Sequence, residues 1–204
     1  MRTTNQFQNY TGTVLRQTAV SLLLASGFLL SALDCQGQGT LTIMFEEPPR
    51  PEPGGPDSWS TEYVESNLRF TGDIYRFLGP YFAFPDNGTV YLHTSHLRQV
   101  AFGFLDGSSF DMHSVDLAEF GLIDTNTVVP FYGYRADGSV VFTSFTTDGI
   151  TDGYGPLVDF QTFYFGPEFK GLTRVEIPGV DSGYSLDNLV ITVPEPGAGA
   201  LLLL

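Results

Sequence analysis

The chain has 204 residues, 9 basic and 23 acidic side chains, and a formal net charge of −14. With that balance there is no basic patch to displace counterions from a phosphate backbone, which excludes a nucleic-acid partner. A single cysteine, Cys35, excludes both a disulfide framework and a thiolate zinc site. Glycine (23), phenylalanine (18), proline (13) and tyrosine (10) are abundant. Aromatics fit a pleated, half-buried surface and Gly and Pro supply the turns between such strands, so the composition is that of a β-rich protein.

Arg2 and Arg16 precede an uncharged run from Ala19 to Leu33 rich in leucine and alanine. A basic start, an apolar core and small polar residues after it form the pattern of a secretory signal peptide. The apolar core is short of the roughly 20 residues that a membrane-spanning helix needs. Residues 1–39 are therefore predicted to be a leader removed by signal peptidase, with cleavage after Gly37 or Gly39. Asp34 stands before Cys35, where lipoprotein processing calls for a small residue. The mature protein is predicted to be secreted, extracellular or attached to the cell surface, meeting the membrane only transiently through leader and tail.

Residues 41–45 read as a first strand running into Glu46 and Glu47, and the proline-rich run 48–57 can be neither strand nor helix. Trp59 to Phe70 resumes with spaced apolar residues. Residues 72–86 are aromatic but poorly periodic, and are predicted to be a loop laid over a sheet. Asn87-Gly88 is a hairpin-type turn that launches a strand over 89–93, answered by 100–105.

Phe110 to Glu119 carries Phe110 and Met112 in one phase and Val115 and Leu117 in the other. A period of two cannot put all four on one face, so a bulge near His113-Ser114 is predicted to reset the phase of a central strand. Strands over 128–134 and 140–146 around the turn 136–139 form the clearest hairpin in the chain. An acidic, glycine-rich loop follows, then Phe160 to Phe165, apolar on both faces and so predicted to be central. Strands over 171–177 and 184–193 close a domain spanning 40–193. Eight to ten short strands without a helical run predict an all-β fold, a single antiparallel β-sandwich of jelly-roll type.

Several residues are candidates for chemistry. Asp187 lies between Leu186 and the Asn188-Leu189 pair, so a carboxylate is held beside core positions and requires a partner. If first and last strands are adjacent, Glu46 or Glu47 and Asp187 could share a calcium ion, which takes six to eight oxygen ligands; hydrogen bonding to backbone is the competing explanation. Asp148, Asp152 and Asp159 lack the spacing of an EF-hand and read as a solvated loop. His93 and His96 could meet a zinc ion only with a third ligand that the sequence does not place, and His113 stands apart. Trp59, Tyr75, Tyr81 and Tyr154 could stack on sugar rings, or cover the edges of the core. No Gly-x-Ser-x-Gly nucleophile elbow is present, and acidic residues are too numerous for any one glycosidase pair to stand out.

Val193-Pro-Glu-Pro196 and the apolar residues after it resemble the C-terminal sorting signal of PEP-CTERM proteins, exported bacterial proteins processed by an exosortase. In that family the motif precedes a full membrane segment and a basic cluster. Here the sequence runs only to Leu204, so 194–204 is read as a truncated sorting tail. The body is similar to the β-sandwiches that many such proteins carry, through Phe45-Glu46, through Gly103 and Phe110-Asp111 into Ser114 to Leu117, and through Ser185 to Val190. Related jelly-roll domains include carbohydrate-binding modules with a structural calcium between first and last strands. That resemblance implies Glu46 and Asp187 as metal ligands, and an extracellular polysaccharide as partner. The first expectation is a non-catalytic cell-envelope or extracellular-matrix domain, structural or adhesive. A carbohydrate-binding module is the alternative, and a glycan-active hydrolase the second.

Overall fold

Short alternating segments separated by glycine, proline and asparagine leave the backbone no way to satisfy its hydrogen bonds except between strands. The computed structural model describes residues 38–194, apart from 52–57, 81–83, 95, 122–124 and 152–158. Most of the predicted leader, most of the sorting tail, much of the proline loop, and Tyr81, Asp152 and Tyr154 lie outside the described residues. The described strands are β1 (Gln38–Ile43), β2 (Ser58–Glu65), β3 (Leu68–Leu78), β4 (Val90–Thr94), β5 (Val100–Phe104), β6 (Asp111–Glu119), β7 (Val128–Arg135), β8 (Val140–Thr146), β9 (Gln161–Tyr164), β10 (Leu172–Ile177) and β11 (Tyr184–Pro194). Every pairing between them is antiparallel.

The strands follow one path, β8-β7-β10-β5-β3-β4-β11-β6-β9, with β1 added to β11 and β2 to β3. β3 is the hinge of this path. Its residues Leu68 to Gly72 pair with β5, whereas Tyr75 to Leu78 pair with β4. The change of partner falls at Gly72, which has φ +132° and where a Cβ would sit 2.2 Å from the Gln99 carbonyl oxygen, so only glycine fits. One layer thus holds the second half of β2, the first half of β3, β5, β10, β7 and β8; the other holds the first half of β2, the second half of β3, β4, β11, β6, β9 and β1.

The facing sides of the two layers share one apolar core that includes Phe45, Phe70, Phe102, Phe110, Phe131, Phe169 and Tyr184. The free ends of the path, β8 and β9, meet through side chains. Phe145 stacks on Phe163 with centroids 5.0 Å apart, and Phe165 lies edge-on to Phe131 and Phe145 at 5.1 Å. The result is an all-β, nearly closed antiparallel sandwich.

The phase change in β6 has the predicted cause. Ser114 is opposite Val190 and Met112 is opposite Ile191, so β6 advances two residues while β11 advances one, and His113 is the additional residue. Met112, Val115 and Leu117 all end in the core. A second irregularity lies in β11 between Asp187 and Val190, where Asn188 has φ +46°.

Three sequence expectations differ from the structure. Residues 72–78 belong to β3 rather than to a loop: Ile74 and Leu78 continue the phase of Leu68 and Phe70 into the main core, and Phe77, in the other phase, is buried in a second cluster with Tyr91, Ala118 and Phe160. β9 ends the path and is not central: Phe163 and Phe165 close the seam with β8, and Tyr164, in the other phase, is 75% exposed. β1 spans Gln38–Ile43 rather than 41–45, since Phe45 turns out of the strand at φ +57°. That turn is held by Glu65, whose carboxylate accepts the Met44 and Phe45 N–H groups at 3.1 and 2.9 Å and the Tyr63 hydroxyl at 2.7 Å. Buried Arg76 donates to the Phe45, Glu47 and Pro49 carbonyls at 3.2, 2.5 and 2.5 Å. Paired strand reaches Gln38 and Pro194, so the first two residues of β1 fall within the predicted leader and the last residue of β11 within the predicted tail.

Candidate functional site

Alternation along each strand of the first layer sends one residue set into the core and the other outward. Cross-strand registers then align the outward residues in rows. One row reads Phe142, Tyr132, Glu176, Ala101, Thr71, Glu62 across β8, β7, β10, β5, β3 and β2. Beside it Val140, Tyr134 and Arg174 align across β8, β7 and β10, and Gly103, Arg69 and Val64 across β5, β3 and β2, with the Arg174 Cα 3.6 Å from where a Cβ on Gly103 would stand. The β8-β7 end of this face is aromatic. Tyr132 and Phe142 lie with centroids 4.9 Å apart, and Phe142 is 54% exposed.

The middle of the face is a shallow trough of about 150 Å³ lined by Arg69, Thr71, Ala101, Gly103, Thr173 and Arg174, among others. Its floor is low because Ala101 and Gly103 carry almost no side chain. Gly103 is demanded by the fold, since a Cβ there would meet the Thr173 carbonyl oxygen at 2.6 Å, where the register of β10 shifts. Arg174 lies over the Tyr134 ring, 5.5 Å from its centroid, and ion-pairs with Glu176. The Tyr134 hydroxyl donates to Glu176 at 2.5 Å, and this bond raises the phenol pKa above its ordinary value. Arg69, across the trough, is exposed, and its side chain has no hydrogen bond or ion pair among the described residues. The trough therefore has one arginine fixed by its neighbours and one whose five donors are unused. Among the described residues that line it there is no carboxylate.

Glu46 and Asp187, nominated from sequence as metal ligands, are brought to adjacent residues of one segment. Asp187 is fully buried and accepts from Asn87 Nδ2 at 2.7 Å, Thr89 Oγ1 at 2.8 Å and the Asn188 N–H at 2.7 Å. Glu46 accepts the Val90 N–H at 2.9 Å and pairs with Arg50 at 2.7 Å. Burial pushes the Asp187 carboxyl up to about 7; the three donors oppose the shift and the charge of Asp116 adds to it. A calcium ion requires a shell of oxygens. Here both carboxylates face N–H and O–H hydrogens, and Arg50 brings positive charge to Glu46.

The remaining sequence candidates are dispersed. His93 is buried among Tyr75, Phe84 and Phe120, whereas His96 is exposed and bonded through Nδ1 to the Asp181 carbonyl, so the two do not share a site. His113 contacts the Thr192 hydroxyl. Asp148 pairs with Gln161, and buried Asp159 accepts the Asp86 N–H. The acidic loop is anchored instead by buried Glu119, which accepts the Thr147 hydroxyl and the Gly149 N–H. Trp59 is 56% exposed beside Tyr75, on the half of β3 belonging to the second layer. Among the described residues no cluster of three or more His, Cys, Asp or Glu groups could hold a metal.

The outward aromatics Tyr132, Tyr134 and Phe142 and the arginines Arg69 and Arg174 were not among the candidates read from sequence. A signal for the aromatics was present: the hairpin over 128–146 is aromatic in both phases, more than one core face needs. No local pattern joins Arg69 to Arg174, because β5 lies between their strands.

Neither a family model nor a curated relative matches the chain. Among solved structures it is similar to a DUF4465 family protein from Bacteroides caccae, with a TM-score of 0.49 and 13% identity over 75% of this chain and 98% of that one. It is also similar to a D83A mutant of the carbohydrate-binding module CBM29-2, solved with mannohexaose, with a TM-score of 0.40 and 11% identity over 76% and 92% of the two chains. An exo-β-agarase matches with a TM-score of 0.40 and 12% identity over 66% of this chain and 25% of its own.

Proposed function

We propose that this is an exported, non-catalytic polysaccharide-binding domain whose contact surface is the outer face of the β2-β3-β5-β10-β7-β8 layer. The observation that carries the reading is the join of an aromatic strip, Phe142, Tyr132 and Tyr134, to a polar trough floored by Ala101 and Gly103. The ring face of an aromatic is electron-rich, and the C–H bonds along one side of a pyranose present positive charge to it. The hydroxyls around the same sugar need planar, fixed donors and acceptors, which Arg174 and Glu176 offer beside the strip. An extended chain of sugars could lie along the face with some rings stacked and others in the trough.

A glycosidase at this surface would need two carboxylates flanking one bond, and the described lining residues supply none. Glu176, at the margin, is already engaged by Tyr134 and Arg174. The basic start and apolar run of the first 33 residues support export, and Val193-Pro-Glu-Pro196 supports the idea of a sorting tail. The face also favours the carbohydrate-binding reading over a purely structural one, because a scaffold has no use for exposed aromatics beside an unpartnered arginine.

Affinity electrophoresis through gels containing a panel of plant, algal and bacterial polysaccharides tests the proposal. Retardation by at least one polymer, lost in Tyr132→Ala/Phe142→Ala, is the expected result. No retardation by any polymer, or retardation that survives the double substitution, would overturn it.

A further inference from the structure

We infer that the trough selects a sugar bearing an oxyanion, a carboxylate or a sulfate, and that Arg69 is the residue that reads it. This inference rests on the polysaccharide-binding reading and narrows it to a class of ligand. Arg69 is opposite Gly103 in the pairing of β3 with β5, and the Arg174 Cα of β10 lies 3.6 Å from where a Cβ on Gly103 would stand. The two arginine backbones are therefore two strand spacings apart, roughly 10 Å. Glycine between them leaves the space above β5 empty, and their two long side chains flank an opening of about the width of one sugar ring.

The charge pattern sets this trough apart from the rest of the molecule. The chain carries −14 overall. The other arginines of the described residues have partners: Arg50 has Glu46, Arg98 has Asp73, Arg174 has Glu176, and Arg76 and Arg135 are spent on backbone carbonyls. Arg69 alone among these keeps its fork of donors free, in a strongly acidic protein where carboxylates to pair with are abundant. A planar guanidinium matches a carboxylate or a sulfate through two parallel hydrogen bonds, a fit that a neutral hydroxyl cannot reproduce. Thr71 and Thr173, lining the same trough, add hydroxyls beside it. Repulsion between the acidic protein and an anionic polymer is screened within about 8 Å at physiological salt, so the contact inside the trough decides the outcome.

The experiment compares wild-type protein with Arg69→Gln by isothermal titration against polygalacturonate, a sulfated galactan and a neutral glucan, at 0.15 M salt. Wild type is expected to bind at least one of the two anionic polymers, and Arg69→Gln to weaken that binding by about tenfold or more, the equivalent of one charge-assisted hydrogen bond. Any binding of the neutral glucan should change less than about twofold, within the range of a lost surface contact. Binding of polygalacturonate alone assigns a carboxylate, and of the galactan alone a sulfate. Because Arg69 is exposed and unpartnered, its variant should melt with the wild type, which separates lost recognition from lost folding. Neutral binding without anionic binding would overturn this inference and leave the polysaccharide reading in place. Equal anionic affinity in both proteins would also overturn it. Failure of all three polymers to bind would count against both.

Discussion

Replacing Asp187 with asparagine keeps the shape of the side chain and removes its ability to ionise, in a place where ionisation is costly. The carboxyl is fully buried, and burial raises its pKa from the ordinary value near 4 to about 7. The folded chain therefore holds a proton that the unfolded chain releases near pH 4, so stability falls as pH rises from about 4 to about 7 and levels off above that. Three pH units at 1.36 kcal/mol each give about 4 kcal/mol of stability lost by wild type across that window. Asp187→Asn does not pay that cost. With the new NH2 in place of Oδ2, the Thr89 hydroxyl can accept from it while donating to Asn87 Oδ1, the Asn188 N–H still donates to the remaining oxygen, and the Asn87 amide, which is exposed, can turn to water. Urea unfolding at pH 4 and pH 8 is the assay. The variant should lie within about 1 kcal/mol of wild type at pH 4 and be more stable by up to about 4 kcal/mol at pH 8. A variant less stable than wild type at pH 8 would refute the reasoning, because it would mean that the three donors outweigh desolvation and the site favours a charged carboxylate.

Calcium should leave the melting temperature at pH 8 unchanged up to millimolar concentration, since Glu46 and Asp187 face hydrogen-bond donors; a rise that chelation reverses would restore the sequence expectation of a metal there. Arg76→Met should destabilise by about 3 kcal/mol or more in a urea titration, because it orphans the carbonyls of Phe45, Glu47 and Pro49. Phe163→Ala should cost about 2 kcal/mol and should speed hydrogen exchange in β8 and β9 more than in β5, as the seam between them is closed by side chains rather than by strand pairing.

Much of the strand pattern was legible because period-two alternation and turn chemistry are local. The hairpin over 128–146 has the predicted bounds to within one residue, and the bulge in β6 could be located from four apolar residues out of phase. The second half of β3 was not legible because it is buried on both faces, Ile74 and Leu78 in the main core and Phe77 in a second cluster, and burial on both faces hides the alternation. β9 was misplaced for a related reason. Aromatics stand in both of its phases, which sequence reads as central, but Phe163 and Phe165 close a seam between two edges of the path while Tyr164 is exposed. The adjacency of Glu46 and Asp187 was foreseeable from the pairing of first and last strands. The hydrogens that fill both carboxylates were not, since Asn87, Thr89 and Val90 are far away in sequence. The trough was least legible of all. Its arginines come from β3 and β10, its floor from β5 and its aromatics from β7 and β8, and only the register brings them into rows.

The most direct measurement is a backbone amide chemical-shift map of the isotope-labelled domain during titration with oligosaccharides released from whichever polymer it binds. The account expects the shifted amides to cluster in residues 62–71, 101–104, 132–142 and 173–176, with the largest change beside Arg69 and Tyr134. Shifts clustered instead around Trp59 or Tyr164, the exposed aromatics of the second layer, would contradict it.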